Sequence, residues 1–154
     1  MANSNPQMYD SHGREHNYLR ISITEHCNLR CTYCMPAEGI ALTPKSNLMT
    51  ADEIVTIAQT FVHLGVTKIR LTGGEPLVRK DAATIIQRLG KLGVELTLTT
   101  NGILVHDFID TFKEAGIKAL NVSIDSLQKE KYTTITRRNY FEKLWENLDL
   151  LYEN

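Results

Sequence analysis

The chain of 154 residues has three cysteines and none beyond Cys34. An odd count with no secretory signal argues against a disulfide framework. There is no second C-x2-C pair, which argues against the usual zinc knot built from two segments. No apolar run is long enough to span a membrane. Neither sign of charge dominates: 17 Lys and Arg face 18 Asp and Glu, a formal net charge of −1. Nonspecific nucleic-acid binding needs a basic surface and is not expected. Thiols held ready for metal binding oxidise outside a reducing compartment, so a cytoplasmic protein is expected. The length suits one domain with a real core.

What the chain does have is concentrated. Cys27-Asn28-Leu29-Arg30-Cys31-Thr32-Tyr33-Cys34 holds every cysteine, at spacing C-x3-C-x2-C. Thiolates are soft ligands suited to iron–sulfur clusters, zinc or copper(I). Three ligands on a four-iron cluster leave one iron open to a small molecule. The alternative is zinc on the three thiolates, with His26 as a fourth ligand.

Residues 1–13 are polar and read as a flexible N-terminal arm, in which His12 is solvated; His16, just beyond it, reads the same way. Over 14–154, strand-like and helix-like stretches alternate four times, which predicts a parallel α/β sheet. Strands are expected at about 18–24, 66–72, 94–100 and 118–124. Thr50-Ala51-Asp52-Glu53 is a capping box opening a helix that buries Ile54, Ile57, Ala58, Phe61 and Val62 and stops at Gly65. Further helices are expected at about 81–91 (burying Ile85, Ile86 and Leu89), 104–115, 128–135 and from Tyr140 onward.

The strands alternate. Leu19, Ile21 and Ile23 share one face; Arg20, Ser22 and Thr24 share the other. Ile69 and Leu71 oppose Lys68, Arg70 and Thr72. Leu96 and Leu98 oppose Glu95, Thr97 and Thr99. Leu120, Val122 and Ile124 oppose Asn121, Ser123 and Asp125. Parallel strands buried on both sides read as continuous apolar runs, and these do not. The polar set must line something wet. A partial parallel (β/α) barrel of about four units, with a polar lumen filled by ligand, is therefore expected; the alternative is a sheet with one solvated face.

Ligands of parallel α/β folds sit beyond the carboxyl ends of the strands. The cysteine loop, Gly73-Gly74-Glu75-Pro76, Asn101-Gly102 and Asp125-Ser126 all fall there. The glycine pair allows close backbone approach to a ligand, and Glu75 can accept from an ammonium group. Arg20, Lys68 and Arg70 lie on polar strand faces, and three cations there suit a triphosphate. Pairing of some with Glu95 and Asp125 is the competing reading. Arg79 and Lys80 read as a solvated face.

The cysteine motif, with an aromatic residue before its last thiol, resembles the radical S-adenosylmethionine (SAM) superfamily. Tyr18 to Thr24, Met35-Pro36, Ile69 to Leu77, Thr99 to Gly102 and Asn121 to Asp125 resemble its GTP 3′,8-cyclase branch, which serves molybdenum cofactor biosynthesis. The resemblance runs from about Arg14 to the end. It implies a [4Fe–4S] cluster on Cys27, Cys31 and Cys34, with SAM chelating the fourth iron. One electron then cleaves SAM to methionine and a 5′-deoxyadenosyl radical. It implies SAM contacts at Tyr33, Gly73, Gly74, Glu75 and Ser123, and GTP contacts at Arg20, Arg70 and Thr99. The radical takes hydrogen from ribose C3′ of GTP, which then attacks guanine C8. No acid–base residue is implied.

Members of that branch are longer and carry three more cysteines for a second [4Fe–4S] cluster. The chain is thus expected to be the N-terminal part of such an enzyme, inactive alone in cyclisation. Expected partners are GTP, an electron donor protein and a second copy in a homodimer. Alternatives are another radical SAM enzyme, such as one modifying a peptide, or a non-enzymatic zinc module.

Overall fold

The structure is a computed structural model and describes residues 7–36 and 38–154. Residues 1–6 of the expected arm, and Ala37, lie outside the described residues. The rest of the arm forms a tight turn. Tyr9 bridges Glu15, and Asp10 accepts from the His12 and Arg14 backbone N–H groups. Met8 packs on the core. His12 and His16 are both exposed.

Four parallel strands form one sheet in chain order. They are β1 (Tyr18–Ser22), β2 (Lys68–Thr72), β3 (Glu95–Thr100) and β4 (Leu120–Val122). The helices are α1 (Ala51–His63), α2 (Ala82–Gly90), α3 (Ile109–Glu114), α4 (Lys129–Thr136) and α5 (Phe141–Glu153). The expected arc of four strand–helix units is present. No helix is long and apolar enough to cross a membrane among the described residues.

The Thr50 capping box forms as expected. Thr50 accepts from the Glu53 N–H, and Glu53 reaches back to the Thr50 N–H at 2.7 Å. Gly65 follows the helix at φ 97°, the conformation a glycine stop supplies. The buried face differs by one position. Val55 is buried, whereas Ile57 is 38 % exposed. Ile54, Ala58 and Phe61 define the inward line, and α1 also packs on α2, so the face turns toward Val55 and away from Ile57.

β4, at one edge of the sheet, is shorter than expected. Its pairing nevertheless continues one residue further, from the Ser123 N–H to the Thr100 carbonyl at 2.9 Å. The expected helix over 104–115 is a 3-10 turn (Val105–Asp107) followed by α3. Phe108 breaks it at φ −122°, and neither piece has a capping side chain.

Between sheet and helices lies the main core, including Ile21, Ile69, Leu71, Ile85, Leu89 and Leu98. A smaller cluster of Ile103, Tyr132 and Leu144 holds α4 and α5 at the carboxyl end of the sheet. On the opposite face Arg20 and Ser22 are exposed, and Arg70, Thr72 and Thr99 are half-buried. The alternation read from the sequence thus separates a packed face from a polar one.

Candidate cofactor and nucleotide site

The loops after β1, β2, β3 and β4 are joined to one another by hydrogen bonds. The Gly74 N–H donates to the Thr24 carbonyl at 2.8 Å, and the Glu75 N–H to the His26 carbonyl at 2.7 Å. These bonds carry strand pairing past β2 into the start of the cysteine loop. Gly73 takes φ 148°, and a Cβ there would stand 2.4 Å from the Thr24 carbonyl oxygen. A Cβ on Gly74 would stand 2.4 Å from the His26 carbonyl oxygen. The sequence suggests that the glycines admit a ligand. In the fold they admit the backbone that leads to Cys27.

Glu75 is also placed differently. Its side chain is 1 % exposed, and both oxygens are occupied. Oε1 accepts from the Leu77 N–H and the Thr100 hydroxyl, and Oε2 from the Asn101 N–H. Burial pushes its carboxyl above the usual range, while these three donors pull it back. The carboxylate ties the β2 and β3 loops together instead of standing free for an ammonium group. Replacing Glu75 by Gln leaves one acceptor oxygen and turns an NH2 group toward the Asn101 N–H. The expected cost is about 2 kcal/mol, the scale of a lost hydrogen bond to a charged group. Urea unfolding checks it, and an unchanged midpoint would contradict the stapling role.

The three thiols lie in this framework. Cys27 and Cys31 are partly buried, and Cys34 is exposed. Burial raises the Cys27 and Cys31 thiols above their ordinary range, and each also feels neighbouring negative charge. A thiolate at either position therefore needs a cation to hold its charge. Among the described residues, no three His, Cys, Asp or Glu groups are gathered tightly enough to share a single metal ion. A four-iron cluster places its thiolates on different irons and asks for no such convergence. The second half of the loop is pinned from behind. The Arg30 and Thr32 N–H groups donate to the Thr136 and Ile135 carbonyls at the end of α4.

Tyr33 is 72 % exposed, and its hydroxyl donates to Asp125 at 2.8 Å. Asp125 thus pairs with Tyr33 rather than with a lumen cation, and Cys31 Sγ lies 3.9 Å from its other oxygen. Ser123 is exposed at the end of β4. Arg20 and Arg70 face each other in register on the polar face, and Thr97 continues the row. The Arg70 Nε is buried without a partner, and its guanidinium lies 5.8 Å from the Tyr18 ring centre. Thr99 stands opposite Asn121.

Lys68 does not join the arginines. It begins β2, at the amino end of the sheet, and pairs with Glu95 at 2.6 Å. Arg79 is not a solvated residue either. Its side chain is 11 % exposed, and it donates to the Ile23 and Met49 carbonyls and to Asp81. It clamps the loop before α1 to the end of β1. Asn101, placed by the sequence at the ligand end of the sheet, and Asn147 have partners that the sequence does not assign. Asn101 is 8 % exposed and touches the cysteine loop, and Asn147 of α5 is 4 % exposed and donates to the Gly102 and Ile103 carbonyls. A polar residue recurring on the apolar face of α5 was the only available signal for Asn147.

A parallel sheet with a three-thiol loop beyond its first strand, braced by the glycine–glutamate turn of the second, defines a cofactor-binding α/β enzyme core. Residues 21–154 match the radical SAM superfamily, and the chain belongs to it. Cluster and SAM come with that family. The mouse (Mus musculus) protein named molybdenum cofactor biosynthesis protein 1 is 52 % identical over 141 residues, 90 % of this chain and 22 % of that protein. The GTP 3′,8-cyclase of Moorella thermoacetica is 46 % identical over 143 residues, 92 % of this chain and 44 % of that protein. The chain therefore spans less than half the length of these relatives. Streptococcus suis SuiB, in a crystal structure with its precursor peptide SuiA, superposes with a TM-score of 0.66 at 19 % identity, over 85 % of this chain and 29 % of that one. That likeness concerns the fold.

Proposed function

We propose that this chain forms the cluster- and SAM-binding part of a GTP 3′,8-cyclase acting in molybdenum cofactor biosynthesis. The observation that carries the reading is the identity of 46–52 % to relatives bearing those names, over nine-tenths of the chain. Cys27, Cys31 and Cys34 would hold the cluster. When bound, it supplies the electron that cleaves SAM.

The chain's own residues divide the remaining work. The Gly74 and Glu75 N–H groups are spent on the cysteine loop. The turn is thus left with carbonyl oxygens for the SAM ammonium group, which needs acceptors. Tyr33 and Ser123 flank the same rim and complete the SAM side. Arg20, Arg70 and Thr99 form the GTP side; Lys68 has no part in it. The unpartnered buried Nε of Arg70 supports this, because an orphan donor is costly until an anion accepts from it. The sheet and its loops orient the two ligands and keep water from the reacting atoms. A one-electron donor protein is required, and the thiols suit a reducing compartment such as the cytoplasm.

Calorimetry on the anaerobically reconstituted protein tests the GTP side. Arg70→Ala should weaken GTP binding about tenfold or more, as expected for losing a charge-assisted pair, and leave SAM binding near wild type. Equal GTP affinity in both proteins would contradict the assignment. A wild type that binds SAM but no GTP would contradict a GTP side formed by this chain's residues.

A further inference from the structure

Asn101 follows β3 and has a partner on every side. Its backbone N–H donates to Glu75 Oε2 at 2.7 Å, and the residue is 8 % exposed, so it cannot swing away. Its amide orientation follows from its neighbours. The Ile103 N–H donates to Asn101 Oδ1 at 3.1 Å, which fixes the oxygen on that side. The NH2 group must then face the cysteine loop. It donates to Asn28 Oδ1 at 2.6 Å, and the same nitrogen stands 3.8 Å from Cys27 Sγ. An amide nitrogen has two hydrogens, so both contacts are made at once. The Leu29 N–H approaches the same sulfur at 3.4 Å. Cys31 Sγ instead faces a carboxylate oxygen of Asp125 at 3.9 Å. Cys27 Sγ thus has two nitrogen donors beside it, with the Asn28 amide oxygen at 4.0 Å, whereas Cys31 Sγ has the Tyr33 hydroxyl and the Asp125 carboxylate.

We infer that Asn101 is a positioning residue of the cluster site, whose side-chain N–H, donated to the Cys27 thiolate, raises the cluster's reduction potential. The inference rests on the cysteine-held cluster proposed above. A reduced cluster carries one more negative charge than an oxidised one, and part of it resides on sulfur. An N–H dipole aimed at that sulfur stabilises the reduced form more. Through Asn28 the same amide also fixes the first turn of the cysteine loop.

The test is a redox titration, followed by electron paramagnetic resonance, of the full chain reconstituted anaerobically with iron and sulfide. Asn101→Asp keeps the oxygen that accepts from Ile103 and puts a carboxylate oxygen where the donor was. Its oxidised-to-reduced ratio at fixed potential should rise about tenfold, equivalent to a midpoint about 59 mV lower for one electron. Asn101→Ala should move the same way by less. Asn28→Ala removes the competing acceptor but leaves the donor, so its midpoint should hold or rise. A purely structural Asn101 would weaken the variants and leave the Asn101→Ala midpoint unmoved, which would overturn the inference.

A second measurement needs no variant of Asn101. Asparagine labelled with side-chain nitrogen-15 should give a nitrogen coupling in pulsed resonance of the reduced cluster, and Asn28→Ala should retain it. Absence of that coupling in a loaded wild type overturns the inference alone. A wild type that takes up neither iron nor sulfide overturns the cluster assignment and the inference together.

Discussion

Gly74→Ala should cost the protein about 3 kcal/mol of stability and most of its capacity to hold iron, at the upper end of overpacking effects. The added Cβ would lie 2.4 Å from the His26 carbonyl oxygen and 2.5 Å from that of Glu25. Both are backbone atoms, so no side chain can step aside. Relief requires moving the segment that delivers Cys27, and with it the hydrogen bond from the Glu75 N–H to His26. Gly93→Ala separates this from a general intolerance of alanine. Gly93 has φ 72° and nothing near its Cβ position, so it should lose about 1–2 kcal/mol by backbone strain and load iron normally. Urea unfolding and iron content check both variants. Normal loading by Gly74→Ala would show that the two loops are not braced together as described.

Cys31→Ala should abolish SAM cleavage while leaving the fold nearly untouched. Cys31 is half-buried and packs in neither core cluster, so the stability change should stay within about 1 kcal/mol. The chain has three thiols in all, and removing one leaves two to hold the cluster. Anaerobic assay with dithionite, followed by measurement of 5′-deoxyadenosine, reads the outcome. Product formation at the wild-type rate would exclude Cys31 as a ligand.

Much of this architecture is legible from residue order alone. Strand alternation separates the polar face of Arg20, Arg70 and Thr99 from the packed face of Ile69, Leu71 and Leu98 because side-chain direction follows sequence parity. The Thr50 capping box is equally local. What escapes is the choice of partner. Lys68 and Arg70 share a face and a charge. Pairing with Glu95 is one of the two readings the sequence offers for Lys68, and the strand register selects it. Arg79 follows a turn and resembles a surface cation, yet the polypeptide before α1 folds over it and presents the Met49 carbonyl. Glu75 was chemically free to meet an ammonium group until the β3 loop brought the Thr100 hydroxyl and the Asn101 N–H to it. Asn147 is invisible for the same reason, and of Asn101 only the position after β3 shows, not the partners. An asparagine after a strand or on a helix is unremarkable until the carbonyl or sulfur facing it is known.

The central claim is that Cys27, Cys31 and Cys34 hold a cluster with one iron open to SAM. Its most direct test is anaerobic reconstitution with iron and sulfide, followed by metal analysis and resonance spectra of the reduced protein with and without SAM. The expected result is about four iron and four sulfide per chain, with a reduced-cluster signal that changes when SAM is added. One zinc per chain with neither iron nor sulfide, or a cluster signal indifferent to saturating SAM, would contradict it.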